Sequence, residues 1–169
     1  MTGMSTDAIV LLKQDHKEIR KVFRDFQSAK DGDTDRKSEL VATMIELLTV
    51  HTYIENEVMY PRVRELLPDL EDDVLESYEE HHVADVLCVE LYGMSADAER
   101  FDAKTTVLIE NVEHHMEEEE QEWFPKVRAQ LGRKQLAELG EELLAAKDKA
   151  PRTPAAPSAL KKTIDAVIN

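Results

Sequence analysis

Residues of metal-binding type recur at helical spacing along this chain: His16, His51, Glu55, His81, His115 and Glu119. Two of the histidines belong to a repeat. The segment His51-Thr-Tyr-Ile-Glu55-Asn-Glu-Val-Met-Tyr60-Pro61-Arg62-Val63 returns as His115-Met-Glu-Glu-Glu119-Glu-Gln-Glu-Trp-Phe124-Pro125-Lys126-Val127. His, Glu, Pro and Val keep their offsets, while Tyr60 pairs with Phe124 and Arg62 with Lys126. An internal repeat constrains the whole architecture. An imidazole and a carboxylate four residues apart share one helix face, one turn from each other. Turned into a core, such a pair is either a metal ligand set or a heavy desolvation cost. Four imidazoles and two carboxylates suit two ions bridged by the carboxylates. Nitrogen and oxygen donors without thiolate fit iron, manganese or zinc and do not choose among them.

The elements that must position these groups are helices. Aromatics are 5% of the chain and glycines number 5, a composition that favours helix over sheet. A cap at Ser5 or Thr6 predicts a first helix to about Ala29, ended by the turn-rich Lys30 to Asp35. A second should run from about Arg36 to Leu67, bent or cut short at Pro61. A third opens at Pro68-Asp69 and reaches about Met94, and a fourth covers about Arg100 to Leu131. After Gly132 a shorter fifth spans Arg133 to Lys149. The Pro- and Ala-rich stretch from Pro151 reads as a mobile tail, with a short amphipathic helix over Ser158 to Asn169. The expected division is therefore a bundle over 5–131, a helix packed on it over 132–150, and the tail over 151–169.

Each long helix carries an apolar stripe with a three-four spacing. The stripes are Ile9, Leu12, His16, Ile19, Phe23 and Phe26; then Val41, Met44, Leu48, His51, Glu55 and Val58. Those of the third and fourth helices are Val74, Ser77, His81, Ala84, Cys88 and Leu91, and Thr105, Leu108, Val112, His115 and Glu119. Every stripe holds one histidine. Long helices with short links make an antiparallel up-down four-helix bundle. His16 and His51 lie at similar distances from the first break, and His81 and His115 straddle the third connection in the same way, which places all four near one height, although the second connection, with Pro61 at that end, balances less well. The seam from His81 is apolar (Ala84, Leu87, Cys88, Leu91), whereas that from His82 holds Asp85 and Tyr92, which favours His81. The repeat selects His115 over His114. Glu117, Glu118, Glu120 and Glu122 read as a solvated face or as partners behind the ligands, Glu57 as exposed, and Cys88, Met44, Met59 and Met116 as packing.

The net charge of −15 opposes nucleic-acid and anionic-membrane partners. One cysteine, Cys88, allows no internal disulfide and fits a reducing compartment. With no long apolar run and no signal-peptide pattern in Met1 to Asp7, the expectation is a soluble, cytoplasmic protein.

Asp15-His16, His51-x-x-x-Glu55 with Tyr60-Pro61, Glu80-His81, and His115-x-x-x-Glu119 with Phe124-Pro125 together resemble the hemerythrin-like HHE cation-binding family, over about residues 6 to 130. The resemblance implies a four-helix bundle around a non-haem di-iron centre that binds dioxygen or a related small ligand. It makes His16, His51, His81 and His115 terminal ligands and Glu55 and Glu119 bridges. The oxygen-carrying hemerythrins differ in their third helix, which gives two histidines four apart; here Ser77 and Asp85 occupy those positions. Their fourth helix has Asp at i+5, where this chain has Glu at i+4. One imidazole fewer leaves an extra open position on one iron. That shifts the expectation from reversible carriage toward binding, sensing or redox turnover of dioxygen, peroxide or nitric oxide. Tyr78, one turn before His81, either approaches that position or is an aromatic at the seam's edge. The competing readings are a di-iron enzyme with catalase-like or ferroxidase activity and a metal-free helical interaction module.

Overall fold

The computed structural model describes residues 6–154, and among them there are helices and no strands. Helix α1 spans Ala8–Ser28, α2 Thr34–Ile54, α3 Tyr60–Leu66 and α4 Glu71–Tyr92. Then follow α5 over Phe101–Glu118, α6 over Phe124–Gln130 and α7 over Arg133–Lys149. The cap of α1 is Asp7, whose side chain accepts from the Val10 N–H, in place of the expected Ser5 or Thr6. Asp33 does the same for α2, which therefore starts two residues earlier than expected. An aspartate just before the first turn satisfies an N–H left free there.

Pro61 neither ends nor shortens its helix. Glu55–Met59 forms a single π turn between α2 and α3, and Glu119–Trp123 forms its counterpart between α5 and α6. The Tyr60 N–H bonds to the Glu55 carbonyl, and the Phe124 N–H to that of Glu119, each five residues back. A proline lacks the N–H of the regular ladder, and its ring clashes with the carbonyl four residues before it. One extra residue in the turn relieves the clash and lets the rod continue. The repeat in the sequence is thus a repeat of this widened turn.

The bundle has two apolar ends separated by a polar layer. One end gathers Leu12, Ile54, Val63, Val74 and Phe124; the other gathers Ile19, Phe23, Leu48, Ala84, Leu108 and Val112. On every rod the metal-type residue lies where the chain passes from one cluster to the other. The stripes expected from the sequence are buried, Val58 excepted, which is half-buried. Helix α7 lies across α1 and α2, and its Leu136, Leu139 and Leu143 join the first cluster. At Gly140 it approaches the chain so closely that a Cβ would stand 1.4 Å from the Thr6 carbonyl oxygen. The lone cysteine is buried in the second cluster, and burial together with Asp85 pushes its thiol up to about 12, in keeping with a packing role.

Arg152, just beyond α7, donates to Glu46 at 2.9 Å, which lays the start of the expected tail on α2. The tail from 155 onward, with the amphipathic helix expected over Ser158 to Asn169, and Ser5 lie outside the described residues. No helix among the described residues is long and apolar enough to cross a membrane.

Candidate metal centre

All six metal-type side chains converge in the polar layer. None exceeds 5% exposure, and His16 and Glu55 are at 0%. His82 is half-buried and His114 is 67% exposed, so the buried imidazoles of α4 and α5 are His81 and His115. The donor atoms fall into two groups, His16–His51–Glu119 and Glu55–His81–His115, with the atoms of each group within 4.8 Å of one another. That is about twice a metal–nitrogen bond of ~2.1 Å. The carboxylates join the groups. Glu55 Oε1 is 2.8 Å from His51 Nε2 and 3.4 Å from His81 Nε2. Glu119 Oε1 is 3.3 Å from the Nε2 atoms of both His16 and His115.

Each imidazole aims Nε2 inward and sets Nδ1 against an oxygen acceptor. His16 Nδ1 is 2.9 Å from Glu120 Oε1, and His51 Nδ1 is 3.0 Å from Asp15 Oδ2. His81 Nδ1 is 2.8 Å from Asn56 Oδ1, and His115 Nδ1 is 3.4 Å from Glu80 Oε1. An acceptor at Nδ1 takes its proton and leaves the Nε2 lone pair facing the centre, the arrangement by which proteins orient metal-bound histidines. The acceptors are held in turn: Lys147 donates to Asp15 at 2.8 Å, and Arg20 to Glu120 at 2.8 Å. His16 Nε2, His51 Nε2, both Glu55 oxygens and Glu119 Oε1 are buried with no hydrogen-bond partner. His51 and Glu55 are close, but their atoms are not aligned for a hydrogen bond. Unpartnered buried donors of this kind are costly unless a cation engages them.

The site is charged as well as polar. Burial disfavours the His51 imidazolium, yet Glu55 and Asp15 outweigh it and lift the pKa to about 10. Burial is likewise overcome at His115 by Glu119 and Glu80, and at His16 by Glu119 and Glu120, so both are raised. Burial raises Glu55, but His51 and His81 hold its carboxyl well below the usual range. The carboxylates therefore draw onto the imidazoles the positive charge that a metal ion would bring. The donor set fits a bound metal cation.

Sequence reasoning missed Tyr60. Its ring is fully buried and its hydroxyl lies 3.1 Å from His81 Nε2, 3.2 Å from His115 Nε2 and 3.2 Å from Glu119 Oε2, to which it donates. Burial, then the Glu119 and Glu55 charges, raise the phenol well above its ordinary value and keep it protonated. Tyr78, the residue weighed from the sequence, is a half-buried neighbour whose ring meets that of Tyr60 edge-on at 5.3 Å. Phe124, at the matching place in the repeat, stacks on His16 at 5.8 Å. The hydroxyl of Tyr60 thus reaches one half of the centre, where the other half meets only a phenyl ring. The proline that follows each of these aromatics was the signal for the widened turn.

Residues 7–127 match the family model described as Hemerythrin HHE cation binding domain. The chain belongs to that family. The crystal structure of a hemerythrin HHE cation binding domain-containing protein from Mycobacterium kansasii superposes with a TM-score of 0.71 at 20% identity, over 85% of this chain and 86% of that one. At that identity the match speaks for the fold. A curated protein of Nostoc sp. (strain PCC 7120 / SAG 25.82 / UTEX 2576), named DNA nickase, is 29% identical over 139 residues, 82% of this chain. The matched region is 38% of the nickase, so this hemerythrin HHE chain corresponds to less than half of it.

Proposed function

We propose that this hemerythrin HHE protein holds two metal ions, iron foremost, and binds or senses dioxygen or a related oxidant such as peroxide or nitric oxide. The observation that carries the reading is the convergence of four inward Nε2 atoms on two carboxylates that each face both groups. His16 and His51 would serve one ion and His81 and His115 the other, with Glu55 and Glu119 shared. Iron bound there would supply a redox-active centre for the small ligand; manganese or zinc would suit the same donors. The chain's own residues orient the imidazoles through Asp15, Asn56, Glu80 and Glu120, and exclude water by the two apolar clusters. On this reading residues 5–131 are the metal-holding unit and 132–150 a helix that covers one end.

A second reading, an enzyme that turns over peroxide or oxidises ferrous iron, is favoured by the Tyr60 phenol beside His81 and His115. That side has fewer imidazoles than an oxygen carrier, and a phenol held protonated can donate a hydrogen bond to a small ligand there. DNA nicking is not carried over from the Nostoc protein, because a chain of net charge −15 repels a polyanion.

Metal analysis and the ultraviolet-visible spectrum of protein from iron-supplied cells test the proposal. About two irons per chain, as in di-iron bundles, with a spectrum that changes reversibly under dioxygen or nitric oxide, is the expected result. Sustained oxygen evolution from peroxide would replace binding by the enzyme reading. A chain that takes up no iron, manganese or zinc would leave the helical interaction module.

A further inference from the structure

The faces of the bundle around the centre are not alike. On the α1 side, Arg20 lies over Glu120, and where α7 crosses, Lys147 lies over Asp15. Both place a cation directly outside the acceptors that hold His16 and His51. Between α4 and the α5–α6 rod, by contrast, a cleft of about 90 Å3 reaches inward, and the ligand-type side chains buried along it are His115 and Glu119. Its walls are acidic, with Glu76 and Glu80 on one side and Glu118 and Glu122 on the other. Among the residues that line it the one lysine or arginine is Lys126, which is paired with Asp73 at 3.4 Å.

Donors run the length of this cleft. Glu80 and Glu118, two of its lining residues, and the exposed His114 beside them form its lip and bring three ligand-type atoms within 4.8 Å of one another, and His114 Nε2 is 3.1 Å from Glu118 Oε1. Glu80 links lip and floor, for its Oε1 is 3.4 Å from His115 Nδ1. On the floor, Glu119 is 2% exposed and its Oε1 is unpartnered.

We infer that this cleft is the route by which a divalent cation reaches the buried centre, with Glu80, His114 and Glu118 as a transient first stop at its mouth. The inference rests on the metal-holding function proposed above. Carboxylate walls with low-dielectric protein behind them concentrate cations and raise their rate of arrival. At the lip His114 is exposed and Glu80 and Glu118 are only half-buried, so water competes for these donors and they hold a cation weakly. The buried donors face no such competition, and the cation moves inward down that gradient. Neither the Arg20 face nor the Lys147 face offers the same attraction.

The test is the loading rate of metal-free full-length chain mixed with cobalt(II), or with ferrous iron under anaerobic conditions, followed by absorbance. The double variant Glu118→Gln/Glu122→Gln and, separately, His114→Ala remove parts of the lip without touching the buried donors. Glu138→Gln/Glu141→Gln on α7 removes equal charge elsewhere. The lip variants should load about tenfold more slowly at low salt and reach the wild-type amount of metal, and the Glu118→Gln/Glu122→Gln variant should approach the wild-type rate near ~1 M salt. The α7 variant should stay within about twofold of wild type. Equal slowing in the α7 variant, or unslowed loading in the lip variants, would overturn the route while the metal centre stands. A reduced final metal content in the lip variants would make those residues part of the centre and equally overturn a transit role. A wild-type chain that takes up neither metal would remove the proposed function itself, and the route with it.

Discussion

Replacing Tyr60 with Phe removes one oxygen and little else. The ring's neighbours are preserved: Tyr78 at 5.3 Å, Trp123 at 5.5 Å and His81 at 5.1 Å between centroids. In the metal-free chain the hydroxyl has three polar neighbours within 3.2 Å but one proton to donate, to Glu119. Losing one buried hydrogen bond costs about 1 kcal/mol, and for a chain of 169 residues that corresponds to roughly 2–4 °C in Tm. With metal bound the balance changes. The same carboxylates that hold the phenol protonated would be neutralised by a cation, which favours the phenolate as a further oxygen donor to the His81–His115 ion. Removing a ligand should therefore weaken binding of that ion by at least about tenfold, or about 1.4 kcal/mol, and remove any visible tyrosinate-to-iron band. Chelator competition and visible spectra of the iron-loaded variant, beside thermal melts with and without metal, measure both parts. A variant with wild-type affinity and spectrum, whatever its metal-free melting point, would refute the reasoning and reduce Tyr60 to packing.

Asp15→Ala frees His51 Nδ1 and strands Lys147, and by losing the group that orients an imidazole it should lower metal affinity by about 10- to 100-fold in a competition titration. An unchanged constant would mean that His51 is held by packing alone. Gly140→Ala places a methyl 1.4 Å from the Thr6 carbonyl oxygen and 2.6 Å from its carbon, so helix and chain must part at a cost of about 1–3 kcal/mol. Calorimetry should show a lower Tm with metal content per folded chain unchanged. The pH response has opposite signs with and without metal. The raised His16, His51 and His115 values stabilise the metal-free fold fully below the unfolded value near ~6.5, and that stabilisation is lost as pH rises, through about 10 for His51. Metal binding needs neutral imidazoles and strengthens over the same window. The Tm gap between loaded and metal-free protein should therefore widen from about pH 6 to about pH 9, and a constant gap would contradict imidazole ligation.

Helical periodicity is local, and so much of the molecule was legible before any fold was known. The three-four stripes named the buried faces, and Val74, Ser77, His81, Ala84, Cys88 and Leu91 are the buried residues of α4 without exception. Loop lengths gave antiparallel neighbours, and the stripe from His81 rather than His82 indicated which imidazole turns inward. The pairing of distant side chains carried no such local signal. Asp15 meets His51 and Glu120 meets His16 because α1 lies against α2 and α5, contacts that bridge 36 and 104 positions. Tyr60 escaped for a sharper reason. In a regular helix five residues turn the chain by about 140° from Glu55, which would carry the phenol off the core face. The π turn at Pro61 takes up the extra residue and returns it to the centre. By itself, then, the sequence determined which residue types would be buried and at what height. Tertiary structure decided which atoms face one another across the layer, because those distances depend on helices placed side by side and on one widened turn.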